Sequence, residues 1–123
     1  MSGDLKNRHA KGSKGEEIAV AYLREKDFKI LDRNWRIAEG ELDIVASIGN
    51  TIAFVEVKTA YSDKFGRPEE WVNPAKCRQI GKIADAWIEA HNPADCVFRF
   101  DVIALQKTPG GFKILHIPDA FIL

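Results

Sequence analysis

The stretch that most restricts how this chain can fold is Gly40-Glu41-Leu42-Asp43-Ile44-Val45, followed after a short interval by Phe54-Val55-Glu56-Val57-Lys58. Two apolar segments flank Gly49-Asn50, a pair that favours the tight turn of a β-hairpin. If those two residues alone form the loop, Ile48 faces Thr51, Asp43 faces Glu56 and Glu41 faces Lys58. Side chains alternate along a strand, so Glu41, Asp43, Glu56 and Lys58 share one face. Leu42, Ile44, Val55 and Val57 then share the other. Directly opposed residues bring their Cβ atoms to about 5 Å, where like charges repel. Two carboxylates persist there only with a cation between them, and the candidates are Lys58 and a divalent metal. Val45, Ser47, Ile52 and Phe54 continue the charged face, and strands apolar on both faces are normally covered on both. The charged cluster therefore reads as a site at the rim of a core.

The rest of the chain supplies that cover. Residues 13–27 read as a helix with Ser13 as N-cap and Glu16 three positions on, a capping-box pattern. Ile18, Ala19, Tyr22 and Leu23 form its apolar stripe, and Glu16 lies on the inner face or its rim. Residues 28–37 suggest a strand kinked near Asp32-Arg33-Asn34, where Arg33, Asn34 and Arg36 either contact phosphate or line the solvent side. Residues 60–72 form a loop in which Lys64 and Arg67 alternate with Phe65 and Trp71; it either clamps a substrate or simply connects. Asn73-Pro74 starts a second helix that runs to His91. Its inner stripe includes Ile80, Ile83, Ala84 and Trp87; Lys76, Arg78 and Lys82 decorate its first half and either meet phosphate or serve as an ordinary polar face. Residues 97–107 and 112–117 are strands joined by Pro109-Gly110-Gly111, with Asp101 expected to pair with Arg99. The order helix, three strands, helix, two strands predicts an α/β sandwich with helices on a mixed central sheet. One domain spans 13–123, preceded by a flexible basic tail over 1–12 that either reaches phosphate or merely solubilises.

The composition, 46% apolar and 29% charged over 123 residues, suits one soluble domain. No apolar run approaches the roughly 20 residues that span a bilayer, and no secretory signal is discernible. Cys77 and Cys96 lack clustered partners, which fits a reduced, cytoplasmic protein. The formal net charge is zero, but its distribution is uneven. Residues 1–36 hold nine Lys or Arg against six acids, and residues 39–72 hold three against seven. A basic flank beside an acidic centre suits a phosphate-tracking surface around a metal, as well as ordinary solvated charge. His9, His91 and His116 show no zinc-like spacing, and neither a phosphate loop nor a nucleophile–histidine motif is present.

An Asp facing Glu-x-Lys has the parts for metal-assisted phosphodiester hydrolysis. Asp43 and Glu56 offer hard oxygens to Mg2+ or Mn2+, which retains waters and accepts phosphate as a further ligand. Such an ion acidifies a bound water and offsets charge on phosphorus. Lys58 lies about 7 Å along the strand by its rise, within reach of the attacking water or a phosphate oxygen, and Glu16 can reach the metal through a water. The rival is a structural ion cluster in which Lys58 neutralises both acids.

Gly15-Glu16-x-x-Ala19-x-x-Tyr22-Leu23, Ile30-Leu31-x-Arg33-Asn34, Gly40-Glu41-Leu42-Asp43, Phe54-Val55-Glu56-Val57-Lys58, Phe65-Gly66 and Arg99-Phe100-Asp101-Val102 together resemble the bacterial YraN-like family. That family is similar to the PD-(D/E)xK nucleases, in particular archaeal Holliday-junction resolvases. The resemblance implies a restriction-endonuclease-like three-layer sandwich, with Asp43, Glu56 and Lys58 in the catalytic motif and Glu16 as the acid of the first helix. It further implies Mg2+- or Mn2+-dependent DNA cleavage. Relatives commonly carry an arginine two residues after the motif lysine, where this chain has Ala60. The expected activity is therefore endonucleolytic, on branched or damaged DNA, by a homodimer or a monomer. The expected phosphate contacts are Arg33, Arg36, Lys64, Arg67 and Lys76. Two alternatives are a non-catalytic nucleic-acid-binding module and an interaction protein with an internal ion cluster.

Overall fold

The computed structural model describes residues 3–60 and 73–121, with side chains from Lys14 onward. Gly49, in the left-handed region at φ 56°, turns the chain between β2 (Gly40–Ile48) and β3 (Thr51–Ala60). The antiparallel register is the one the two-residue turn dictates, running from Ile48↔Thr51 to Ile44↔Val55. β1 (Lys29–Ile37) lines the outer edge of β2, with a bulge between Ile30 and Asp32. β4 (Val97–Thr108) pairs parallel to β3, and β5 (Gly111–Ile117) returns antiparallel to β4. The result is a five-stranded mixed sheet in the order β1-β2-β3-β4-β5.

A parallel β3–β4 pair needs a long crossover, and α2 (Pro74–His91) lies within it. Asn73 caps this helix by accepting from the Lys76 N–H at 2.8 Å, and Asn92 ends it in the left-handed conformation. Ile80, Ile83, Ala84 and Trp87 bury the inner stripe of α2 against Val45, Ile52 and Phe54. On the opposite face α1 (Gly3–Glu25) packs Ala19, Val20 and Leu23 onto Ile44, Ala46, Ala53, Val55, Ile103 and Leu105. Helices thus cover both faces, giving the three layers that the two-faced apolar strands require. Among the described residues, no helix is long and apolar enough to cross a membrane.

Two local expectations change. Helix α1 does not open at Ser13 but runs back to Gly3, so Glu16 lies in the helix body and does not close a capping box. No proline interrupts residues 3–13, and Ser-x-x-Glu reads alike at a cap or inside a helix. Leu42 does not share a core with Ile44. It packs on the α2 side with Trp35, its partner across β1 and β2. The parity changes at Asn34, which sits between the pairs Arg33↔Ile44 and Trp35↔Leu42, and therefore opposite Asp43. Asn34 has φ 52°, a left-handed conformation that asparagine tolerates better than most residues. Such a residue within a strand rotates the next side chains toward the other face. Asp101 pairs with Arg99 as expected, through Nε at 2.8 Å and Nη2 at 2.9 Å.

Candidate functional site

The irregularity at Asn34 and Asp43 gathers the acids. Beyond Ile44↔Val55 the β2–β3 ladder ends, and the Asp43 side chain takes over as acceptor, its Oδ2 receiving the Val57 N–H at 2.9 Å. Asp43 therefore points into the gap between the parting strands, away from the simple shared face that alternation predicts. The close approach of α1 delivers Glu16 to the same gap. A Cβ on Gly15 would stand 2.5 Å from Thr59 Oγ1, so with Thr59 opposite, glycine lets the helix sit this near β3. Oxygens of Glu16, Glu41 and Asp43 lie within 4.8 Å of one another. Asn34 Nδ2 bridges two of these acids, donating to Glu16 Oε1 at 2.7 Å and to Glu41 Oε1 at 3.3 Å. Glu56 stands on the other side of Asp43, with Lys76 Nζ from α2 at 3.4 Å from its Oε1.

The electrostatics arise from this crowding. Burial, reinforced by the charge of Glu56, pushes Asp43 up to about 8 despite the Val57 hydrogen bond, with smaller contributions from Glu16 and Glu41. Burial likewise raises Glu56, opposed by Lys76. Glu16 is raised by burial and by Glu41, against the Asn34 hydrogen bond and Arg33. Each anion is held in a space that disfavours negative charge, the condition a bound cation relieves. The donors are all carboxylate oxygens, a set that suits Mg2+ or Mn2+ far better than softer metals. These residues fit such an ion, and Asp43 belongs both to the predicted pair with Glu56 and to the group with Glu16 and Glu41.

The predicted site residues divide into four sets. Glu16, Asp43 and Glu56 come together. Lys58 is exposed and makes no ion pair among the described residues, so it does not neutralise the acids there. It lines a cleft of about 410 Å3 together with Glu56, Thr59, Asn73 and Lys76. Three of the proposed phosphate contacts are paired with acids: Arg33 with Glu17 at 2.8 Å, Arg36 Nε with Glu41 at 3.1 Å, and Lys76 with Glu56. Lys64 and Arg67, with the proposed clamp, lie outside the described residues. Sequence reasoning missed Asn34 as the bridging donor. Its only signal was an asparagine at the kink of a strand, a position that suits left-handed backbone.

A family model described as uncharacterised protein family UPF0102 matches residues 15–105. The chain belongs to the UPF0102 family. This is the YraN-like family that the motifs resemble, and the matched span contains all four acids. Among its relatives, the UPF0102 protein of Geotalea daltonii is 46% identical over 125 residues, covering 100% of this chain and 98% of that protein. The UPF0102 protein of Geobacter metallireducens is 48% identical over 112 residues, 91% of this chain and 92% of the relative. That of Christiangramia forsetii is 44% identical over 110 residues, 89% and 92% respectively. The likeness therefore covers about nine tenths or more of each chain.

Proposed function

We propose that this UPF0102 protein is a divalent-metal-dependent endonuclease-like protein that hydrolyses DNA phosphodiester bonds, with branched or nicked DNA as the first substrates to try. The observation that carries the reading is the meeting of Glu16, Glu41, Asp43 and Glu56, drawn from α1, β2 and β3, where β2 and β3 part. Acids gathered around a carboxyl destabilised by burial, as Asp43 is, form the kind of arrangement that functional sites produce. The resemblance to the PD-(D/E)xK nucleases supports the same assignment.

In this reading Asp43 and Glu56 hold Mg2+ or Mn2+, and Glu16 with Glu41 complete the oxygen shell directly or through water. When bound, the ion supplies Lewis-acid stabilisation of the phosphate and a more acidic water. The Val57 N–H fixes the rotamer of Asp43, and Asn34 bridges Glu16 and Glu41 by donating to both. Lys58 extends from the motif strand into the cleft beside Glu56. There its ammonium can meet a phosphate oxygen or orient the water that attacks.

Purified protein incubated with Mg2+ and a panel of branched, nicked and linear DNAs should cut at least one of them, and Asp43→Asn or Glu56→Gln should abolish the cut. Cleavage that survives both substitutions would remove the assignment. Ala60 favours a second reading, a module that binds nucleic acid without cutting it. Salt-dependent duplex binding, with no cleavage under either metal, selects that alternative.

A further inference from the structure

We propose that Lys76 is a phosphate-binding residue whose ammonium alternates between the Glu56 carboxylate and a backbone phosphate of the nucleic acid, so that metal and nucleic acid bind cooperatively. The inference rests on the reading of Glu56 as a metal ligand. Lys76 Nζ stands 3.4 Å from Glu56 Oε1, with side-chain exposures of 43% for Lys76 and 23% for Glu56. The carboxylate is thus the fixed partner, and the ammonium has open space on its other side. The backbone of Lys76 is anchored, because its N–H is held by Asn73 in the helix cap. Movement is therefore left to the four-carbon stem, which is unbranched and rotamer-rich.

Lys76 and Glu56 line the same cleft as Lys58 and Thr59. Two lysines therefore line a cleft with one carboxylate, and among the described residues Lys58 has no ion pair of its own. An ammonium and a divalent cation on one carboxylate repel each other at such range, so Lys76 loses its partner when Glu56 is engaged. The cleft then presents two unneutralised lysines next to the acids. That is a cationic lining suited to a phosphodiester. Lys76 in this way delays the full positive potential of the cleft until Glu56 is occupied.

The test uses the full chain. Mn2+ binding is measured by calorimetry without DNA, and binding of a short fluorescein-labelled duplex is measured by anisotropy in Ca2+ over a range of salt. Lys76→Gln should take up Mn2+ about twofold to fivefold more tightly, the scale of a lost competing ion pair. The same variant should bind the duplex about tenfold more weakly, with a log–log salt slope shallower by about one. A purely structural lysine would not move these two affinities in opposite directions. Lys76→Arg should restore duplex affinity and slope, and keeps the proposal testable should the glutamine variant fold poorly. Unchanged Mn2+ affinity in Lys76→Gln, or an unchanged salt slope, overturns the proposal. If Mn2+ uptake is present in the wild type and lost in Glu56→Gln, that failure falls on Lys76 alone. Absence of Mn2+ uptake in the wild type overturns the metal-site reading itself, and this inference with it.

Discussion

Replacing Asp43 with asparagine should make the protein more stable at neutral to alkaline pH while removing the proposed metal binding. An acid whose pKa in the folded chain lies above its unfolded value favours folding most at low pH. That contribution is lost as pH rises through the folded value. For Asp43 the window runs from about 4, the ordinary aspartate range, to about 8. The unfolded chain ionises Asp43 freely across this window, whereas the folded chain resists, because burial and Glu56 oppose the charge. Each pH unit is worth about 1.4 kcal/mol, which sets a ceiling of about 6 kcal/mol over this window. Partial exposure, relaxation and water entry reduce this to about 1–3 kcal/mol. Asparagine keeps an oxygen for the Val57 N–H and cannot ionise, so the variant escapes the loss.

Urea unfolding of both proteins in EDTA at intervals from pH 4.5 to 8.5 gives the difference directly. The curves should lie close together at the acid end and separate with rising pH, the variant becoming the more stable. If Asp43 is the proposed metal ligand, adding Mn2+ at pH 8 should raise the midpoint of the wild type and leave that of Asp43→Asn almost unmoved, because a ligand stabilises only the folded state that binds it. A variant less stable than the wild type at pH 8, or a difference independent of pH, would refute the view that Asp43 is held in a space hostile to its charge.

Gly15→Ala places a methyl group 2.5 Å from Thr59 Oγ1 and should cost about 1–3 kcal/mol by over-packing; thermal melts should show Thr59→Ala recovering most of that loss. Asp101 is fully buried and accepts from Arg99, from His116 Nε2 at 2.8 Å and from the Asp119 N–H at 3.0 Å. Burial alone would raise its pKa, but these donors together hold it below the ordinary range. Its stabilisation is therefore present above the ordinary aspartate value and lost as pH falls through the depressed one. Asp101→Asn should lose about 3–5 kcal/mol at pH 7, with a gap to the wild type that narrows in acid, as tracked by denaturant unfolding. Asn34→Gly retains the left-handed backbone and deletes the donor shared by Glu16 and Glu41. Carboxyl-carbon NMR titration should place the Glu16 midpoint higher than in the wild type, because the Asn34 hydrogen bond is what opposes burial there.

The features legible in the residues were those that depend on neighbours in the chain. Gly49-Asn50 specifies its turn locally, and the register from Ile48↔Thr51 to Ile44↔Val55 comes by counting. Asn73 and Asn92 bound α2 for the same reason, through contacts within a single helical turn. The charged interruption of strands apolar on both faces already placed Asp43 and Glu56 at the rim of the core. The features that stayed illegible depend on contacts across elements. The parity change that sends Leu42 to the α2 core requires Asn34 on β1 to turn left-handed opposite Asp43. It also leaves Asp43 to take a backbone N–H from β3. No count along β2 alone contains either event, so alternation placed Lys58 opposite Glu41, whereas Arg36 is the cation that meets Glu41. The partnership of Lys76 with Glu56 depends similarly on how the first turn of α2 docks across the sheet. The irregularity and the site share one cause. A side chain that accepts the hydrogen bond a strand would otherwise take ends the ladder, and the gap this opens is where four acids from three elements can meet. A β2 that continued in register past Ile44 would keep its backbone pairs but spread the carboxylates along one face, too regular an arrangement to converge on an ion.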